Sequence, residues 1–188
     1  MSALYPMLIK PRYDERIWGG HNLARLLGKD APANEKIGES WEVYDQNSVC
    51  NGAYAGRTIE DLRADMKREL TGHVDPSAVF PMLTKLLDAQ DVLSVQVHPD
   101  DAEAKRLEHE PYGKTECWYV IHAEPGAEII YGFSRDTDER EYQERLENGT
   151  LNEILRSIRV HEHDVVYLPA RTLHAIGAGI VVYELQQT

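Results

Sequence analysis

The sequence predicts a mainly β domain, a barrel or sandwich of short strands with a few short helices. Three observations predict it. Stretches rich in Val, Ile, Tyr and Trp recur through the second half of the chain, each bounded by Gly, Pro, Asn or Asp. Helical periodicity is confined to a few brief segments. No repeat, low-complexity tract or linker divides the 188 residues, a length that fits one domain with a real core.

Residues 1–20 read as an extended arm ending in Trp18-Gly19-Gly20, followed by a short helix over 21–27 that Gly28 closes. Residues 29–35, with Pro32, read as loop, 39–44 as the first strand, and Val49 as the centre of another short one. Thr58 to Leu70 has the marks of a helix: Thr58 as N-cap, Glu60 and Asp61 at the positive end of the dipole, and Ile59, Leu62, Met66 and Leu70 on one face. Residues 82–88 are apolar and fit either helix or strand. In Leu93 to His98 apolar residues alternate with Ser94, Gln96 and His98, which predicts a strand that Pro99 ends. A second strand opens at Glu116, with Trp118, Val120 and His122 on the face of Glu116. The turn Glu124-Pro125-Gly126 then suggests a hairpin to Glu128–Tyr131. Residues 136–148 predict a solvated, charged helix, and Thr150 with Glu153 a capping box for another carrying Leu151, Ile154, Leu155 and Ile158. Strands over 164–168, 174–177 and 180–187 complete the reading.

Composition narrows the function. With 42% hydrophobic and 28% charged residues the chain has an ordinary globular composition, and its net charge of −12 (pI about 5.1) repels polyanions. No basic stripe supports nucleic-acid binding. No apolar run reaches bilayer length, and the start lacks the pattern of a signal peptide, so no membrane association is expected. Two cysteines, Cys50 and Cys117, are too few for a disulfide framework and suit a cytoplasmic location. Cys117 faces away from Glu116 and reads as a buried, inert thiol.

The chemistry centres on Gln96, His98, Glu116 and His174. Gln96 and His98 share a strand face about 7 Å apart, Glu116 opens the next strand, and His174 follows a proline turn. An amide oxygen, two imidazoles and a carboxylate suit zinc or another divalent first-row ion. Taken singly, a histidine or glutamate is more often a solvated surface residue. The reason to group these four is that a barrel converges such positions on its interior.

Several blocks resemble the type I mannose-6-phosphate isomerases of the cupin superfamily. They are Arg16-Ile17-Trp18-Gly19-Gly20, Gly38-Glu39-Ser40-Trp41, Leu93 to Asp101, Gly113 to Tyr119, Leu168-Pro169-Ala170, His174 to Gly177 and Glu184 to Gln187. His163 through His174 also reproduces the spacing of the second cupin motif, with His163 and Arg171 where that pattern has glycine. The resemblance implies a cupin-type β-barrel (jelly roll) formed by residues 1–188 as a single domain with an N-terminal arm and helical insertions. It implies Gln96, His98, Glu116 and His174 as ligands of Zn2+ or another divalent metal. Lys114 is implied as a catalytic or phosphate-contacting residue, and the activity as interconversion of mannose 6-phosphate and fructose 6-phosphate through an enediol. Trp18 is expected to line the pocket mouth, Arg171 to offer a guanidinium to the substrate, and Glu184 and Gln186 to support the site from one strand face. The family pattern continues with Ser-Asp-x-Thr-Tyr-Arg and a C-terminal domain, which this stretch lacks. Impaired turnover, a non-catalytic sugar-phosphate-binding cupin, and a homodimer through an exposed apolar face are the expectations that follow.

Overall fold

The computed structural model describes residues 4–78 and 80–188; residues 1–3 of the expected arm, and Val79, lie outside the described residues. The second half of the arm is a strand, β1 (Arg12–Gly20), paired antiparallel with β2 (Ile37–Val43). Between them α1 (Asn22–Leu27) ends where expected, on Gly28 at φ +64°. The strand foreseen near Val49 reduces to single bridges, Ile9 to Val49 and Ser48 to Thr58. α2 (Ile59–Met66) begins on a reciprocal capping box between Thr58 and Asp61. The helix does not run unbroken to Leu70: the chain takes φ +49° at Lys67, and α3 (Arg68–Thr71) follows as one turn. Leu62, Met66 and Leu70 still pack on one cluster with Val49 and Tyr54.

The apolar run at 82–88 is a strand, β3 (Met82–Ala89). The expected strand over 93–98 is instead an extended segment with a single bridge at Gln96, and Val95 and Val97 are 37% and 58% exposed. A short α4 (Asp101–Glu103) leads to β4 (Glu116–Ala123) and β5 (Glu128–Phe133). These two strands do not form a hairpin, because they belong to different sheets. The Glu124-Pro125-Gly126 turn is a corner that carries the chain across the core, so Val120 and Ile129 lie in the same buried cluster. A bulge between Val120 and His122 also takes His122 out of the alternation, where it meets Glu162 (2.8 Å) and Glu124 (3.3 Å).

α5 (Glu139–Glu147) is the charged helix, capped by Asp138. The helix predicted after Thr150 is absent. Thr150 makes no side-chain cap, the Glu153 carboxylate pairs with Arg145 instead, and Leu151–Ile154 is a tight 3₁₀ turn into β6 (Leu155–Arg159). β7 (Val165–Leu168), β8 (His174–Ile176) and β9 (Ile180–Gln187) follow.

The strands form two antiparallel sheets, β1-β2-β3-β9-β4-β7 and β6-β5-β8, in the expected cupin-type jelly-roll arrangement. Leu87, Trp118, Val120, Ile129, Leu168, Ile176 and Val182 fill the space between them. Fully burying each such side chain contributes roughly 1.5–3 kcal/mol. The inner face changes character along the strands. In β9, Val182 belongs to this core, while Glu184 and Gln186 continue the same face as buried polar groups. Among the described residues no helix is long and apolar enough to cross a membrane.

Candidate metal centre

The polar end of that inner face encloses a cavity of about 240 Å³. Gln96 and His174 meet there because each backbone N–H donates to the other's carbonyl at 2.8 Å. Directly opposed residues of an antiparallel pair present their side chains on one side. Glu116, the first residue of β4, lies across from Gln186 in the β4–β9 ladder and is 2% exposed.

His98, Glu116 and His174 bring one ligand atom each to within 4.8 Å of one another. The His174 Nδ1–H donates to the Thr172 carbonyl at 2.8 Å, which turns Nε2 toward Glu116 Oε2 at 3.3 Å. A backbone acceptor on the far nitrogen is the usual device that orients a metal-ligating imidazole. Glu116 Oε2 is buried without a hydrogen-bond partner. A buried carboxylate oxygen without a hydrogen-bond partner is costly unless a cation lies against it. The residues therefore fit a divalent ion, with two nitrogens, one carboxylate and the Gln96 amide as donors. The Gln96 amide nitrogen donates to Ser94 Oγ at 3.3 Å, and the side chain lines the cavity.

The electrostatics favour the ligand forms. Burial, then the adjacent Lys114 ammonium, push His98 down to about 4, so its imidazole is neutral at physiological pH. Burial alone would raise Glu116, but His174 and Lys114 outweigh it and hold the carboxyl down at about 2. The Lys114 ammonium lies 2.6 Å from Glu116 Oε1 and 3.1 Å from His98 Nε2. It stands where its motif suggested, beside the donor cluster.

Trp18 lines the cavity as expected. Glu184 does too: its Oε2 accepts the Trp118 indole N–H at 2.8 Å, and burial with the nearby Glu116 charge raises its carboxyl. Gln186 is buried opposite Glu116 and donates to the Gln187 carbonyl. Cys117 faces away from the cavity, but it is only partly buried. Arg171 does not join the group. Its side chain is 66% exposed and turns toward Asp100 and Glu103, 3.9 and 3.7 Å away.

Three charged cavity residues, Arg16, Glu39 and Lys85, were not singled out from the sequence as site residues. Arg16 donates to Glu39 Oε1 at 3.0 Å, Trp41 donates to Glu39 Oε2 at 2.8 Å, and Lys85 lies 3.7 Å from both Glu39 and Glu184. A signal existed for one of them. Lys85 interrupts an apolar run, and once that run is a strand it shares a face with Leu83 and Leu87.

His163 and Arg171 take φ +76° and +71°, left-handed values at the two positions where the cupin pattern carries glycine. A side chain costs roughly 1–2 kcal/mol there, against about 0.5–1 kcal/mol of extra chain entropy for glycine. Arg171→Gly is therefore expected to stabilise the fold by up to about 1 kcal/mol, a rise of roughly 2–4 °C in melting temperature. An unchanged or lower melting temperature would show that the Asp100 and Glu103 contacts matter more.

A family model described as the phosphomannose isomerase type I catalytic domain matches residues 7–151. The chain is 45% identical over 188 residues to a mannose-6-phosphate isomerase of Streptococcus mutans. It is 44% identical over 186 residues to the mannose-6-phosphate isomerase ManA of Bacillus subtilis. Each alignment covers 97% of this chain and 58% of the relative, so the chain spans little more than half the length of these proteins. The crystal structure of a mannose 6-phosphate isomerase from Bacillus subtilis superposes with a TM-score of 0.88 at 39% identity, covering 97% of this chain and 58% of that one.

Proposed function

The chain belongs to the type I phosphomannose isomerase family, and from that premise we propose that its cavity interconverts mannose 6-phosphate and fructose 6-phosphate with a bound zinc ion. The observation that carries this reading is the buried Glu116 oxygen that lacks a hydrogen-bond partner and faces Nε2 of the anchored His174 ring. His98, Glu116 and His174, with Gln96, would hold the ion, which when bound supplies Lewis-acid stabilisation of negative charge developing on the sugar oxygens. The chain's own groups do the rest. Lys114 places an ammonium at the edge of the donor cluster, where it can donate a proton or a hydrogen bond to a sugar oxygen as charge builds during enediol formation. Glu184, whose carboxyl burial raises, can hold a proton inside the cavity. Lys85, Arg16 and Glu39 offer donors and acceptors for hydroxyl groups, and Trp18 an apolar wall. A cytoplasmic location belongs to the same reading, since both cysteines are free thiols.

A coupled assay on zinc-loaded protein tests the proposal. Fructose 6-phosphate should form from mannose 6-phosphate at a rate that chelation abolishes and zinc restores. No product above background, with zinc shown to be stoichiometric, would leave sugar-phosphate binding without turnover as the function of this domain.

A further inference from the structure

We propose that Asp101 is a positioning residue, which sets the place of Lys114 through a single carboxylate-to-amide hydrogen bond. Its effect on turnover rests on the isomerase reading above; its effect on Lys114 does not.

Neither His98 nor Lys114 is held by a sheet ladder. His98 lies on the extended segment beyond the Gln96 bridge, and Lys114 on the loop before β4. A loop clasp takes the place of the ladder. Asp101 Oδ1 accepts the Gly113 N–H at 2.8 Å, tying together two residues at the ends of the loop. The next amide, Lys114 N–H, donates to the Pro99 carbonyl at 3.0 Å. On the other side, the Arg171 N–H donates to the His98 carbonyl at 2.7 Å. Gly113 fits so closely that a Cβ there would lie 2.4 Å from the Pro99 oxygen. The backbone next to Lys114 is thus pressed against the backbone next to His98, and their side chains meet 3.1 Å apart.

Asp101 itself has no place among the donor atoms or the cavity-lining residues. Its neighbours are otherwise engaged: Asp100 caps α4 by accepting the Glu103 N–H, and both carboxylates face Arg171. What Asp101 supplies is an acceptor, not a charge. Asparagine retains that acceptor and alanine does not.

Two variants and four measurements test this. Asp101→Ala should lower kcat by about tenfold to a hundredfold, because small displacements of a positioned group are enough for losses of that size. KM and bound metal should stay near the native values. Asp101→Asn should recover most of the activity. Acetylation of Lys114, followed by mass spectrometry, should be several-fold faster in Asp101→Ala than in the native protein or Asp101→Asn, with Lys29 and Lys105 unchanged as references. Equal losses in the two variants, or Lys114 labelling that does not respond to Asp101→Ala, would overturn the proposal. Native-state hydrogen exchange decides the matter even if Asp101→Ala fails to fold: the Gly113 amide of the native protein should be protected, and exchange at the rate of a solvated amide overturns the clasp. Should the native protein show no isomerase activity, the isomerase reading fails while labelling and exchange still decide the role of Asp101.

Discussion

Replacing His174 with alanine is expected to strip the domain of bound divalent metal and lower kcat/KM by at least about a hundredfold, close to 2.7 kcal/mol of transition-state stabilisation. His174 is 5% exposed and accounts for three features of the centre at once. Its backbone brackets Gln96, its Nδ1–H is anchored on Thr172, and its Nε2 faces Glu116. Alanine preserves the first and removes the other two, so the β8 bridge persists while the donor set loses a nitrogen. Metal per chain by plasma mass spectrometry, with circular dichroism as the check on folding, measures it. Full metal content in a folded His174→Ala protein would show that the ion is held elsewhere.

The second large effect is expected at Lys114. Lys114→Met keeps an unbranched stem of similar length but removes the ammonium 2.6 Å from Glu116. General acid or base groups contribute typically 10²–10⁴ in rate, so kcat should fall within that range. Bound metal should stay stoichiometric, because His98, Glu116 and His174 remain. Following turnover and metal content on one preparation separates the roles. A kcat within threefold of native would remove Lys114 from the chemistry, and loss of metal would make it part of the cage.

Much of this site was legible in the sequence because its donors occupy short, distinctive blocks. Gln96, Lys114, Glu116 and His174 line the cavity, and His98 stands beside the last three, as their motifs suggested. The misreadings share a physical cause, which is that alternation and capping patterns are local while partners are distant. Val95 and Val97 alternate as in a strand, yet beyond Gln96 that segment finds no ladder partner and both valines face outward. Glu124-Pro125-Gly126 has hairpin chemistry, but turning into the other sheet lets β4 and β5 share a core. The Thr150–Glu153 pair has capping spacing, and Arg145 from the preceding helix takes Glu153. Arg16 and Glu39 were hidden for a related reason. Each is an ordinary charged residue whose role depends on the register of β1 against β2 and of β2 against β3.

The place of β9 in the large sheet has a kinetic meaning. β1, β2 and β3 form one half and β4 with β7 the other, and β9 is the strand that joins them. Lys85 pairs with Glu184 on one side of β9, and Glu184 with Trp118 on the other, so the cavity straddles this seam. As the chain is synthesised, both halves carry an open edge until residues 180–187 have emerged. Closure then requires β3–β9 pairings between residues about a hundred positions apart and β4–β9 pairings about sixty to seventy apart, the kind of non-local contact that slows folding. The hydrogen-bonding edges of β3 and β4 are exposed to other chains during that interval. The polar cavity is therefore assembled in the same late event that closes the sheet, and a chain caught before it would have neither.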